Sequence, residues 1–387
     1  LRVLHVISSA DPATGGPIQG LKQSISLREH WGQRVEILTL NPPESDAISN
    51  FPGVAHGVGP GTRIYGYTPN LSRWISKNRS RFDVAVVHGL WNHASVGGWQ
   101  GLRRARLPYV LFTHGMMDPW FRKSKPIKHW VKQSFWAIQG RVLRDANEVL
   151  FTSEEEMRLA DGVFFGYNYR PRVVAYAAAE ATPCGLVDEA AFHKLVPELA
   201  GRPYLLFLSR IHEKKGCNLL LEGFAKAVHR PDLQLVIAGP PHGDLGERLQ
   251  AQAHSLGIAE RVHWPGMVKG AAKAGAFRGA EAFVLTSHQE NFGIAVAEAL
   301  AYGKPVLISN QINIWREIES GGAGVVAPDT VDGATRVIAA WEQLTPEARI
   351  AMGRAAREVY ERNFTVEAAA RDLTAALERA AASGPQR

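Results

Sequence analysis

Short runs of apolar residues recur along the chain, and the longer stretches between them carry apolar positions at helical spacing. In the first half, residues 3–8, 35–40, 84–87, 109–113, 148–152 and 172–176 read as strands. In the second half, residues 204–209, 233–238, 262–264, 282–286, 306–308 and 324–326 do the same. Helical stretches are expected at 18–31, 217–229, 294–302, 332–342, 346–361 and 365–381. Strands that alternate with helices predict an α/β chain with parallel sheets. The Pro, Gly and Ser-rich segment 41–61 reads as a surface excursion. The pattern divides into a first domain at 1–177, an Ala-rich linker at 178–201, a second domain at 202–364, and a closing helix with a polar tail at 365–387. No repeat of solenoid length is visible.

In parallel sheets ligands collect at the carboxyl ends of strands, so the residues there carry the chemistry. After the run at 282–286 comes Glu290, then the tight loop Asn291-Phe292-Gly293, then a helix from Ile294 that contains Glu298. Unpaired N–H groups of Phe292, Gly293 and Ile294 at a helix start suit a phosphate or a ring of hydroxyls. Alone, either glutamate reads as a solvated surface acid. Arg210 and Lys215 follow the run at 204–209, spaced so that both cations can converge on one anion, although two solvated loop cations would have the same spacing.

In the first half, Gly15-Gly16-Pro17 forms a strand, glycine loop and helix unit without the GxGxxG fingerprint. Its N–H groups can face a phosphate or acceptor, or the glycines can serve geometry alone. His88-Gly89 and His114-Gly115 end their strands. The spacing of His88, His93 and His114 fits no standard zinc pattern. No D-x-D triplet occurs.

With seven residues between Glu290 and Glu298, the stretch SHQENFGIAVAEALAYGKPV resembles the E-x7-E signature of the retaining GT-B glycosyltransferases of family four, the glycosyl transferases group 1. LSRIHEKKG, LVIAGP, GMV and FTHGMMDPW extend the resemblance over nearly the whole chain. It implies an α/β GT-B fold, two Rossmann-like domains with an interdomain cleft. It implies an acceptor-binding first domain, a nucleotide-sugar-binding second domain, and a final helix that crosses back to the first. The implied activity is retaining transfer of a sugar from a UDP- or GDP-linked donor to a glycan or lipid-linked acceptor, as in exopolysaccharide or lipopolysaccharide assembly.

Position by position, the resemblance implies catalytic roles for His114, beside the donor sugar, and Glu290. Arg210 and Lys215 would hold the diphosphate, Glu298 the ribose and Val268 the base. The loop Asn291, Phe292, Gly293 and Ile294 would hold the sugar hydroxyls, and Gly16 would approach the phosphate or acceptor. No metal and no further cofactor are expected, the nucleotide sugar being substrate. The chain departs from the family at Ala175-Tyr176-Ala177, where members usually carry Pro-Asn-Gly, and this bears on the local turn and hinge. A nucleotide-sugar 2-epimerase of the same fold, or a silent nucleotide- or polymer-binding scaffold, remain the alternatives.

A length of 387 residues suits two domains, and no apolar run approaches the ~20 residues of a spanning helix. The opening LRVLHVIS reads as a strand and not a signal peptide, and its missing initiator Met as trimming. Cys184 and Cys217 make a poor disulfide framework, which favours the cytoplasm. A net charge of +7 favours anionic partners without choosing among them, and nucleic acid is not expected. From Arg103 to Arg144 ten basic residues face Asp118 alone, with Trp120, Phe121, Trp130, Phe135 and Trp136 interleaved. A helix at about 126–144 therefore either lies on an anionic membrane surface, with the stretch Trp120 to Arg144 as contact, or packs its aromatics inward and its cations to water.

Overall fold

In a computed structural model of the chain, which describes residues 1–387 except 15, 63, 64, 121, 123–125, 183–185, 200, 386 and 387, the apolar runs form two all-parallel sheets. The first contains β1 (Arg2–Val6), β2 (Arg34–Thr39), β3 (Val54–Gly57), β4 (Val84–His88), β5 (Tyr109–Phe112), β6 (Glu148–Phe151) and β7 (Pro171–Val173), in the order β3-β2-β1-β4-β5-β6-β7. The second contains β8 (Tyr204–Leu208), β9 (Gln234–Ala238), β10 (Val262–Gly266), β11 (Ala282–Leu285), β12 (Val306–Ser309) and β13 (Gly324–Ala327), in the order β10-β9-β8-β11-β12-β13. Each is a Rossmann-like domain whose strand order reverses once, between β1 and β4 in the first and between β8 and β11 in the second.

The central strands are apolar throughout because helices cover both faces of a parallel sheet. All five residues of β4 and of β9, and all four of β5, β11 and β12, are buried. Each such Val, Leu, Ile or Phe contributes about 1.5–3 kcal/mol by leaving water. The edge behaves differently. Residues 54–57 lie in the expected surface excursion, yet they pair with β2 in register Glu36↔Val54 to Thr39↔Gly57. Their sequence, VAHG, gives no apolar run because an edge strand is only partly covered.

By internal packing the chain forms two units, residues 1–177 with 366–387, and residues 178–365. The helix Val366–Ser383 belongs to the first, where Leu373, Ala376, Leu377 and Ala380 share a core with Val3, Val84, Val110, Phe112 and Leu150. Residues 178–201, the expected linker, hold the helix Leu186–His193 and are part of the second unit. Phe192, Val196 and Leu199 are buried there, and Phe192 lies 5.7 Å from Tyr204 ring to ring.

The helix Pro126–Arg144 splits the two readings of the basic aromatic stretch. Trp136 is buried, stacked on Phe164 with ring centroids 4.7 Å apart. The opposite face is uncovered and in large part apolar: Ile127 is 82% exposed, Trp130 69% and Val131 65%. Lys132 turns inward over the Trp91 ring at 4.6 Å, and burial, followed by the charge of Lys128, pulls its pKa down to about 8. Phe121, Lys123 and Lys125 lie outside the described residues. Among the described residues no helix is long and apolar enough to cross a membrane.

Candidate active site

In the second unit the loops after β8 and β11 meet where the strand order reverses. His288 N–H donates to the Lys214 carbonyl at 2.8 Å, and Thr286 Oγ1 to the Gly216 carbonyl at 2.8 Å. Gly216 has φ 63, and a Cβ there would collide with the Thr286 carbonyl, so only glycine allows the two loops this approach. Lys214 Nζ then reaches Gln289 Oε1 at 2.6 Å, and Lys215 Nζ bonds Glu290 Oε1. Lys215 and Glu290 retain 17% and 18% side-chain exposure, enough for a ligand to reach both.

Burial, then the charges of Lys214 and Arg210, pulls the Lys215 ammonium from 10.5 to about 8, while the bond to Glu290 acts in the other direction. Arg210 is exposed and makes no ion pair among the described residues. Its charge is one of those that lower the Lys215 pKa, so the two cations are close enough to interact.

Glu290 is tied down by its backbone, accepting from Asn313 N–H at 3.1 Å and donating to the Gln311 carbonyl at 2.9 Å. The chain then turns through Asn291, buried Phe292 and Gly293, the last with φ 74, into the helix Ile294–Ala301. Val296 and Ala297 N–H return to the Gly293 carbonyl at 2.8 and 3.2 Å, which sets the helix start at the loop. Glu298 lies on this helix and accepts from Lys273 Nζ at 2.6 Å, a cation on the helix Gly270–Gly279 that no sequence signal marked. Val268, 6% exposed, follows β10. Lys215 is thus paired with Glu290 and Glu298 with Lys273, so neither carboxylate is a bare anion.

The first unit builds a second group of side chains at its own reversal point. Gly16 opens the helix Gly16–His30 after β1, and Gly15 lies outside the described residues. His88 ends β4, and His114 follows β5 in the left-handed region with φ 49, a conformation that costs a non-glycine residue roughly 1–2 kcal/mol. Glu156, 4% exposed, holds it there. Its Oε1 accepts from Thr113 Oγ1 and Gly115 N–H at 2.6 Å each, and its Oε2 from Thr152 N–H and Oγ1 at 2.7 Å each.

His114 lines a largely apolar cavity with Pro17, Gly20, His88, Phe112 and Tyr176. Tyr176, from the stretch that departs from the family pattern, is packed so close that a Cβ on Gly20 would sit 3.2 Å from its hydroxyl. His93 is apart from this group, bonded through Nε2 to the Thr68 carbonyl at 2.8 Å. Among the described residues no group of three or more His, Cys, Asp or Glu is placed to hold a metal. His5 was legible only as a polar residue inside an apolar run, and nothing in the sequence marked Arg28, which also belongs to this cluster.

Residues 15–177 match the glycosyl transferase 4-like domain, and residues 189–359 match the family described as glycosyl transferases group 1. The chain carries a group 1 glycosyl transferase domain and a glycosyl transferase 4-like domain, which together span most of its length. It is an α/β glycosyltransferase of GT-B fold. The D-rhamnosyltransferase WbpZ of Pseudomonas aeruginosa is 25% identical over 377 residues, 94% of this chain and 92% of that one. A phosphatidyl-myo-inositol mannosyltransferase of Mycobacterium tuberculosis is 38% identical over 127 residues, 32% of each chain. Among solved structures, Anabaena Alr3699/HepE in complex with UDP superimposes with a TM-score of 0.80 at 17% identity, covering 98% of this glycosyltransferase and 100% of that chain.

Proposed function

We propose that this glycosyltransferase takes a hexosyl group from a nucleoside diphosphate donor and transfers it, with retention at the anomeric carbon and without a divalent metal, to a glycan or lipid-linked acceptor in surface polysaccharide synthesis. The observation that carries the reading is the meeting of the Arg210–Lys215 and Glu290–Ile294 loops at the sheet's reversal point, where two cations and a helix start offer complementary charge to a diphosphate. Glu298 holds the ribose and Val268 the base, while Glu290 and the Asn291–Ile294 backbone hold the sugar. The bond from the anomeric carbon to the donor phosphate oxygen breaks as the acceptor oxygen bonds on the same face. The acceptor proton passes to the departing phosphate, whose charge Arg210 and Lys215 offset. Gly16 admits a ligand close to the backbone of the first unit, and His114 donates to a ligand oxygen at that unit's cavity.

The names of the relatives, a rhamnosyltransferase and a mannosyltransferase, favour a hexose of manno configuration. Incubation with UDP-, GDP- and ADP-hexoses, in chelator, tests the reading by nucleotide release and by NMR of the product anomer. Release that stops with EDTA refutes metal independence, and an inverted product refutes retention. Tight binding of donors with no turnover for any acceptor leaves the scaffold reading instead.

The reading also places the enzyme on the cytoplasmic face of a membrane. It is supported by the bare stripe Ile127, Trp130 and Val131, continued by Ile138 at 42% exposure, with Arg141 on the same face and Lys128 at its flank.

A further inference from the structure

We propose that Arg28, His5 and His88 form a positioning relay that holds His114 in one tautomer, with Nε2 bare and Nδ1 protonated, so that His114 meets its ligand as a neutral hydrogen-bond donor. The inference rests on the reading of His114 as a contact to a substrate oxygen and adds to it which nitrogen, which charge state and which residues enforce them.

The direction of every bond follows from one group. A guanidinium only donates, so in the 2.9 Å contact between Arg28 Nη1 and His5 Nε2 the imidazole nitrogen is the acceptor. His5 then carries its proton on Nδ1 and donates it to His88 Nε2 at 2.8 Å. His88 in turn carries its proton on Nδ1 and donates to His114 Nε2 at 3.0 Å. The other branch agrees: Arg28 Nε donates to Gln33 Oε1 at 3.0 Å, the Gln33 amide nitrogen to Thr374 Oγ1 at 2.8 Å, and that hydroxyl to the Ala370 carbonyl at 2.7 Å. No donor meets a donor along the chain.

The setting makes the relay more than a cross-link. Arg28 is 0% exposed, has no carboxylate partner among the described residues, and keeps a buried Nη2 without a bond. An uncompensated buried cation is costly, and apolar side chains would join the helix to the sheet at lower cost. What the cation supplies is polarity in one direction. Adding a proton to any of the three rings would place a second positive charge in the same dry cluster. Burial, followed by Arg28, holds His5 far below the usual 6.5, and burial, then His114 and Arg28, does the same for His88. Burial alone brings His114 to about 3.

Rotation of the His114 ring is also restricted. It stacks on His88 with centroids 5.3 Å apart and planes 9° apart, and on Phe112 at 5.2 Å and 13°. The titratable groups around it are Arg28 from the helix Gly16–His30, His5 from β1, His88 from β4, Tyr176 beyond β7, and Glu156 on the neighbouring Gly115 amide. The last helix presents only Ala369, Ala370 and Leu373 to the cavity. The remaining polar atom of His114 is therefore Nδ1–H, suited to a sugar hydroxyl or a phosphate oxygen and unable to act as a base through Nε2.

Imidazole nitrogen NMR on the full chain, with His114 assigned from the spectrum of His114→Gln, tests this without substrate. The expected result is one bare Nε2 and one protonated Nδ1, with no titration between about pH 5 and pH 9. The opposite tautomer, or titration near the ordinary value, overturns the relay. His88→Phe keeps the ring stack and removes both bonds, whereas His88→Gln can still accept and donate. Turnover is expected to fall roughly ten- to a hundredfold in His88→Phe, by analogy with the loss when the hydrogen-bond partner of a metal-bound histidine is removed, and to recover in part in His88→Gln. Mixed His114 tautomers should accompany the loss in His88→Phe, and an unchanged spectrum in that variant overturns the relay. If no donor is turned over while the wild-type spectrum is as stated, transfer is what fails and the relay stands.

Discussion

Replacing Lys215 with methionine removes a charge while keeping most of the side-chain volume, and the consequence for nucleotide binding can be worked from its surroundings. In the unliganded chain the ammonium is bonded to Glu290, with both side chains less than a fifth exposed. A charge-assisted bond to a diphosphate contributes about 1.5–3 kcal/mol. At 1.4 kcal/mol per decade, the Kd for the nucleoside diphosphate should rise roughly 10- to 150-fold. The parent nucleoside should bind unchanged, because ribose and base are assigned to Glu298 and Val268. Glu290→Gln works in the opposite sense: it releases the ammonium from its carboxylate, so diphosphate affinity holds or tightens while turnover falls. The pKa adds a second readout. A bound phosphate favours the charged form, so binding takes up a proton above pH 8, and affinity should decline as pH rises from about 8 towards 10.5, by at most about one decade per unit. Calorimetric titration of wild type, Lys215→Met and Glu290→Gln with nucleosides and their diphosphates measures all three effects. An equal loss for nucleoside and diphosphate, or none for either, refutes the assignment of Lys215.

Glu298→Gln should weaken the nucleoside itself, and in that variant a nucleotide and its dideoxyribose analogue should bind alike; a retained preference for the hydroxyls removes Glu298 from the ribose. Gly216→Ala, at φ 63 and against the Thr286 carbonyl, should either lower the melting temperature of the second unit or part the two loops with loss of diphosphate binding. A variant with wild-type melting and affinity contradicts the close approach. Ile127→Ser with Trp130→Ser should abolish flotation with anionic liposomes at an unchanged melting temperature, since both side chains are largely exposed. Equal partitioning of wild type to neutral and anionic vesicles would end the membrane reading.

The fold class was legible because a parallel sheet covered on both faces demands continuous apolar strands, and residues 84–87, 109–113 and 282–286 supply them. The edge strand Val54–Gly57 was not legible, since its half-covered position asks little of its sequence. The helix Leu186–His193 was hidden by an Ala-rich stretch that reads equally well as a connector. Around the candidate site, spacing could bring Arg210 and Lys215 to one strand end and Glu290 and Glu298 to another. It could not give the pairings, because Lys215 with Glu290 and Lys273 with Glu298 join residues 75 and 25 positions apart through the order of strands in the sheet. His5 and His88 lie in separate strands and His114 just beyond a third, so their alignment appears only once β1, β4 and β5 lie side by side.

The first unit is completed by residues 366–385, which leave the ribosome only after the whole of the second unit. Until then Val3, Val84, Val110 and Leu150 lack the cover of Leu373 and Leu377, whereas the intervening residues 178–365 form a contiguous stretch of chain that can finish folding earlier. During synthesis the nascent amino-terminal half must therefore wait with an uncovered apolar face, and truncation after residue 365 would leave that face open to aggregation and proteolysis.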